Sequence, residues 1–324
     1  MLKFWAMSGT SARSSRLAGA GARWGILPLL SASVIWGTSG TAQALAQLHA
    51  DPPLVGAARL LSGAAALVVI AAVTGRLRVR ELLAADRRRW LLTAGVATAV
   101  YQAAFFGAVA RTGVALGTLV ALGSAPAFCG LFARRFGGES LPRAWTLSTV
   151  CAVAGCALVV LPHGAGGGAD PFGIALSVLA GGCYGAYTVC LKRLLGTGAD
   201  PIPVLAVTVS IGGVLLSPFL LTGAGALASP GGLLLTAWLG LVVTAGAYVL
   251  FARGLARVPA RMAGTVSLAE PLTATVLGAL VLAESWTLTT AAGGLLIAVG
   301  LACSVAGPGR PARAFVPAPA ASRP

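Results

Sequence analysis

PPLVGAARLLSGAAALVVIAAVTGRLRVR, residues 52–80, holds one apolar run and then a burst of positive charge. From Pro53 to Thr74 the only ionisable residue is Arg59, and Arg76, Arg78 and Arg80 follow directly. About 20 mostly apolar residues cross the hydrocarbon of a bilayer as a helix. The run is apolar on odd and even positions alike, unlike the alternating strand of a membrane barrel. It reads as a membrane-spanning helix with a basic end left in water.

Nine more stretches read the same way. With this one they run near Trp24–Leu45, Pro53–Thr74, Trp90–Ala110, Val114–Phe132, Arg143–Leu161, Phe172–Leu191, Pro201–Leu221, Gly232–Phe251, Ala260–Leu282 and Trp286–Ala306. Composition agrees: 57% of the 324 residues are hydrophobic, 10% are charged and mean hydropathy is +0.89. A soluble domain carries about 25% charged residues, so this chain has too few to coat a water-facing surface. The net charge of +15 sits in short segments between the apolar runs. That is a topology signal and excludes a nucleic-acid partner.

Arg and Lys fall in the N-terminal segment, the even-numbered loops and the tail; the odd-numbered loops carry only Arg111. Ten spans with both termini in the cytoplasm satisfy the positive-inside rule. Residues 1–23 read as a cytoplasmic segment and not a cleavable signal, and the Pro- and Ala-rich residues 307–324 as a disordered cytoplasmic tail. The six cysteines lie in apolar runs with no CxxC, and His49 and His163 fall in outside loops. Neither a metal nor a cofactor is expected, and the cysteines read as packing residues. No nucleotide-binding or hydrolase motif is present to bind ATP or to place a nucleophile.

The chain repeats itself. Ala50-Asp51-Pro52 matches Ala199-Asp200-Pro201, and Trp36-Gly37 matches Tyr184-Gly185. Pro126 precedes Glu139-Ser140 as Pro271 precedes Glu284-Ser285, and Phe106 and Arg111 echo Phe251 and Arg257. The offset stays near 145–149 throughout. Each half holds five spans, an odd number, so the second half enters the membrane from the other side. Residues 24–161 and 172–306 thus form an inverted repeat, the arrangement that alternating access uses, with a shared site near the midplane.

In these motifs the chain resembles the EamA-type transporters of the drug/metabolite transporter superfamily. The resemblance rests on Trp36-Gly37-Thr38, Ala57-Ala58-Arg59-Leu60, Gly117-Thr118 through Pro126 to Glu139, and Gly264-Thr265 through Glu270-Pro271 to Glu284. It departs at Ser148, where the tenth span has Gly293. It implies an all-α integral membrane protein of ten helices, with the fifth and tenth peripheral to a central cavity. It also implies movement of small metabolites, often amino acids or related compounds, frequently outward.

Arg59 and Glu270 are the ionisable residues set deepest in the spans, where each costs about 2.5–3.5 kcal/mol on insertion scales. Two readings stand for them: a substrate-binding pair, with Glu270 also open to proton coupling, or a static salt bridge. Trp36, Gln102, Tyr184 and Tyr248 are the further substrate-binding candidates, with Thr38, Ser39, Tyr101, Ser124 and Tyr187 behind them, because rings stack while their polar atoms hydrogen-bond. Pro126 and Pro271 are the candidate hinges. Glu139 and Glu284 are expected to favour the start of the next helix, with Ser140 and Ser285 as caps. Gly113-x-x-x-Gly117 and Gly181-x-x-x-Gly185 are expected to let helices approach closely. Trp24, Trp90, Trp145 and Trp286, at span ends, are expected to be interfacial anchors.

The leading reading is a secondary transporter or facilitator in the plasma membrane. Its partners are a small-molecule substrate and the bilayer, and a homodimer is left open. A structural or sensory membrane protein and a membrane-embedded lipid-modifying enzyme stand as alternatives.

Overall fold

The computed structural model describes residues 3–48, 50–76, 79–160, 170–283 and 287–306. His49, His163, the Gly164–Gly168 run, Glu284, Ser285, Trp286 and the tail 307–324 lie outside them. Among the described residues the chain is helical, with no strand. The helices are α1 (Lys3–Ala46), α2 (Pro52–Val73), α3 (Val79–Leu82), α4 (Ala85–Gly137), α5 (Arg143–Val160), α6 (Pro171–Gly196) and α7 (Pro201–Leu216). There follow α8 (Pro230–Ala237), a π-helical stretch Trp238–Gly246, α9 (Ala247–Arg257), α10 (Ala260–Val266), α11 (Ala269–Leu282) and α12 (Leu288–Ala306).

Among the described residues seven segments are long and apolar enough to cross a membrane: Pro52–Val73, Ala85–Gly137, Arg143–Val160, Pro171–Gly196, Pro201–Leu221, Pro230–Arg257 and Ala260–Leu282. Leu288–Ser304 is a shorter apolar helix. The 53 residues of α4 are not one rod. Gly113 breaks them with φ 80° and ψ 161°, a conformation open essentially to glycine. The chain folds back there, so that Gly117 packs on Val109 and Thr112. Gly113 is therefore a turn, not half of a helix–helix packing motif. At the other end α1 runs unbroken from Lys3, so the first span begins inside a longer helix.

Small residues set which helices touch. On α6, Gly173 lies on Ala108–Thr112, Gly181 on Ala121–Ala125 and Gly185 on Phe128 and Cys129. Gly181 and Gly185 thus serve close approach, as their spacing suggested. The α6 chain runs parallel to the second arm of α4 and antiparallel to the first. Helices α5 and α12 pack antiparallel, Gly155 on Gly293 and Ile297, Gly300 on Ser148 and Ala152. Ser148 fits there by turning its hydroxyl to the Trp145 carbonyl at 2.9 Å and accepting from Ser304 at 2.7 Å. Helix α1 lies antiparallel to α9, with Gly25 on Gly254 and Val258 and, further on, Thr38 bonded to Trp238 at 3.1 Å. All six cysteines are free thiols, and Cys129, Cys156 and Cys190 are buried.

Two helices start on a matching cap. Asp170 accepts from Phe172 N at 3.0 Å ahead of α6, and Asp200 from Ile202 N at 2.9 Å ahead of α7. Each also pairs with an arginine of the other half at 3.3 Å, Asp170 with Arg111 and Asp200 with Arg76. The backbone bond from Phe172, and then Arg111, hold the Asp170 carboxyl below its usual range.

Replacing Gly113 by alanine should cost about 1–3 kcal/mol, the strain of a side chain in that backbone region. A fall of several degrees in the unfolding temperature of the detergent-purified protein would register it. An unchanged midpoint would mean that the turn does not need glycine.

Candidate functional site

The interior is built around aromatic rings from four helices. Trp36 of α1 meets Tyr248 and Phe251 of α9 at centroid distances of 5.6 and 5.3 Å. Phe251 also meets Tyr184 and Tyr187 of α6 at 6.3 and 6.4 Å, and Tyr184 meets Tyr101 of α4 at 6.4 Å. Phe251 is thus the hub, although its apolar ring gave no sign of it in the sequence. Five of the expected residues, Trp36, Tyr184 and Tyr248 together with Tyr101 and Tyr187, meet here. Gln102 does not: it is buried against Gly56 of α2, and its Nε2 has no hydrogen-bond partner. Thr38 and Ser39 bond back to the carbonyls of Ile35 and Trp36, and Ser124 to that of Ala121.

Irregular backbone borders this interior on two sides. The π-helical stretch Trp238–Gly246 widens the spacing of carbonyls, and the Trp36 indole donates to Val243 O at 3.1 Å. Within the same stretch Thr244 bonds back five residues to Leu239 O and accepts from Arg59 Nε at 3.4 Å. On the other side the chain leaves helix at Ser267–Leu268, between α10 and α11. Ser267 there shares a 2.7 Å hydrogen bond with the Tyr184 hydroxyl. Pro271 falls in the first turn of α11, where a missing N–H costs little, so the break precedes the proline. Pro126 lies in continuous helix, which makes the two prolines unlike in their effect.

Arg59 and Glu270 face this interior from different halves. They interact through space, yet no ion pair joins them among the described residues. The bond to Thr244 is the only hydrogen bond of the Arg59 guanidinium among the described residues, and the Glu270 carboxylate makes none. A direct static bridge is therefore not formed. Thr208, at the position of the second half that matches Arg59, bonds back to Val204 O and Leu205 O of its own helix.

The other carboxylate does something the sequence did not disclose. Glu139 does not serve the following helix. Its Oε1 accepts from Ala260 N at 2.7 Å, and its Oε2 from Arg261 N at 3.3 Å and Arg261 Nη1 at 3.2 Å. It caps α10, in the other half of the chain, with side chains 9% and 10% exposed for Glu139 and Arg261. Trp145 joins them, its ring on Gly130 and its indole N–H on Arg261 O at 3.1 Å, so it is a clamp more than an anchor. Lys192 of α6 closes the same end by donating to Leu255 O and Ala256 O of α9 at 2.7 and 3.1 Å. All seven residues of α10 are buried.

Comparison with known proteins accords with this geometry. The model of the EamA-like transporter family matches residues 23–161 and again residues 171–306. The chain belongs to the EamA-like transporter family. An uncharacterized transporter, YwfM of Bacillus subtilis (strain 168), is 36% identical over 283 residues, covering 86% of this chain and 93% of its own length. A solved crystal structure shares the fold with a TM-score of 0.73 at 21% identity, covering 87% of this chain and 96% of its own. The protein is thus a multi-pass membrane transporter by family.

Glu139→Ala leaves the Arg261 charge buried without its partner and should cost about 3–5 kcal/mol of stability. The double variant Glu139→Ala/Arg261→Ala should recover part of that loss. A thermal double-mutant cycle reads the coupling, and strictly additive changes would show the clamp to be energetically idle.

Proposed function

We propose that this protein is a secondary carrier for a small zwitterionic metabolite, an amino acid or a related compound, moved outward across the plasma membrane by alternating access. The observation that carries this reading is the unjoined pair Arg59 and Glu270. Two unlike charges from separate halves, beside aromatic rings, match a molecule bearing both a carboxylate and an ammonium. The guanidinium would take the carboxylate in its fork and Glu270 the ammonium, with the remainder against Trp36, Tyr101, Tyr184 and Tyr248.

Ten spans in two inverted halves are part of the same reading. The fold-back at Gly113 supports counting α4 twice, and the apolar lengths within α1 and α12 supply the remaining spans. Paired packing supports the inversion: Gly37 sits on Glu270 O and Thr273 of α11, and its counterpart Gly185 on Phe128 and Cys129 of α4. Both termini then lie in the cytoplasm, as the basic loops require. The buried α10 acts as the inner plug, with Glu139 and Trp145 latching it and Lys192 holding the end of α9 beside it. Rocking would occur at the break before Pro271 and along the helix that carries Pro126. Glu270, on the moving segment, would couple substrate movement to a proton.

Counterflow of labelled amino acids into proteoliposomes tests this. The wild type should show saturable exchange with at least one of them. Arg59→Gln and Glu270→Gln should each weaken it about tenfold, the worth of one hydrogen bond to a charged group. Glu270→Gln should also lose the response to an imposed pH gradient. Inert vesicles across the whole panel would favour a structural or sensory protein.

A further inference from the structure

We propose that the cavity between α2, the first arm of α4 and the end of α7 binds a small, uncharged amphipathic molecule drawn from the bilayer, held by its apolar body and by a hydrogen bond from Gln102. This site does not depend on the transport reading. The cavity holds about 330 Å³, at the small end of ligand sites. It opens where α2 begins and α7 ends. Pro53 of α2, Ala103, Phe106 and Gly107 of α4, Leu216 of α7 and Phe219 just beyond it form the wall. No ionisable side chain lines it. An ion would lose its hydration there without a counter-charge, so the occupant is neutral.

Gln102 supplies the polar contact. Its side chain is buried, at 5% exposure, and its Nε2 has no hydrogen-bond partner among the described residues. A buried amide donor is normally satisfied, and a bare one carries a cost that a bound acceptor removes. The amide stands close to the cavity wall. Gly56 of α2 has no side chain, and a carbon added there would press on the Phe106 ring and come within 3.4 Å of Gln102 Nε2. Phe106 is thus both a wall of the cavity and a neighbour of the amide. The ring is only half-buried, so it has room to turn, and turning joins the two. A hydroxyl or carbonyl oxygen at the end of an apolar chain then accepts from Nε2.

The bilayer is the source of such a molecule. Ala103 falls within the apolar run Trp90–Ala110, yet it is exposed where it lines the cavity, and Phe219 is 39% exposed. The cavity therefore opens sideways at membrane depth, and a molecule already dissolved in hydrocarbon reaches it without crossing water. The tail of a membrane phospholipid fits less well. Its ester oxygens stay at headgroup level, and the tail itself has no acceptor for Gln102.

Photolabelling of the full-length protein in nanodiscs with the diazirine alcohol 3-azioctanol, mapped by peptide mass spectrometry, tests the site. Adducts should concentrate at residues 103–107 and 216–219, saturate, and be displaced by excess 1-octanol far better than by octane. Gln102→Leu should raise the half-saturating concentration about fivefold, the worth of one neutral hydrogen bond. Ala103→Trp, at an exposed position, fills the space and should abolish the labelling, which keeps the test open if the Gln102 variant proves unstable. Equal displacement by octane and octanol, or unchanged affinity in Gln102→Leu, would overturn the proposal. So would adducts spread evenly over the lipid-facing helices. Labelling that appears in detergent but not in nanodiscs would assign the cavity to a phospholipid tail and overturn it as well.

Discussion

Two charges inside hydrocarbon, contributed by different halves and not in contact, constrain the rest of the structure. A bare ion in lipid is costly, and one in contact with its opposite would be quiet and sealed. Arg59 rests on a single threonine, and Glu270 on no polar group among the described residues. The surrounding backbone departs from regular helix beside each of them, in the π-helical stretch that holds Thr244 and at the break ahead of Glu270. Irregular backbone at membrane depth survives where it lines an interior and not where it faces lipid. The charges, the irregular segments and the ring cluster therefore border one interior.

Close helix packing surrounds that interior. Gly37 and Gly185 bring α1 and α6 onto the segments that carry Thr273 and Phe128. The residue before each glycine, Trp36 or Tyr184, is thereby set into the ring cluster around Phe251. The closed end is polar where the middle is aromatic. Glu139 accepts from Arg261 Nη1 and from the Ala260 N–H at the start of α10, and Trp145 donates to Arg261 O, so a short buried helix tolerates an ion pair beside it.

The membrane-spanning, all-helical character of the chain was legible because hydrocarbon demands length and apolarity, which no single tertiary contact can override. The connections between its helices were less so. Gly113 looked like half of a packing motif, since a glycine that turns the chain and one that admits a neighbour are the same letter. The duplication was legible as recurring motifs, and the chain contacts at Gly37 and Gly185 fall at matching positions. Trp36, Tyr184, Tyr248, Arg59 and Glu270 could be picked out because polarity in an apolar run is conspicuous. Phe251, Ser267 and Thr244 could not, because a phenylalanine or a small hydroxyl there is ordinary. Gln102 was conspicuous for the same reason, yet its face of α4 points to α2. The partner of Glu139 lies 121 residues away, beyond any local reading of caps.

Arg111 and Arg257 occupy matching places in the two halves, which makes them direct reporters of inversion. In a cysteine-free background, each is replaced by cysteine and a membrane-impermeant maleimide is applied to intact cells. Inverted halves put position 111 outside and position 257 inside, so only the first should react until the cells are permeabilised. Reaction of both positions from the same face would contradict the inversion and the shared interior built on it.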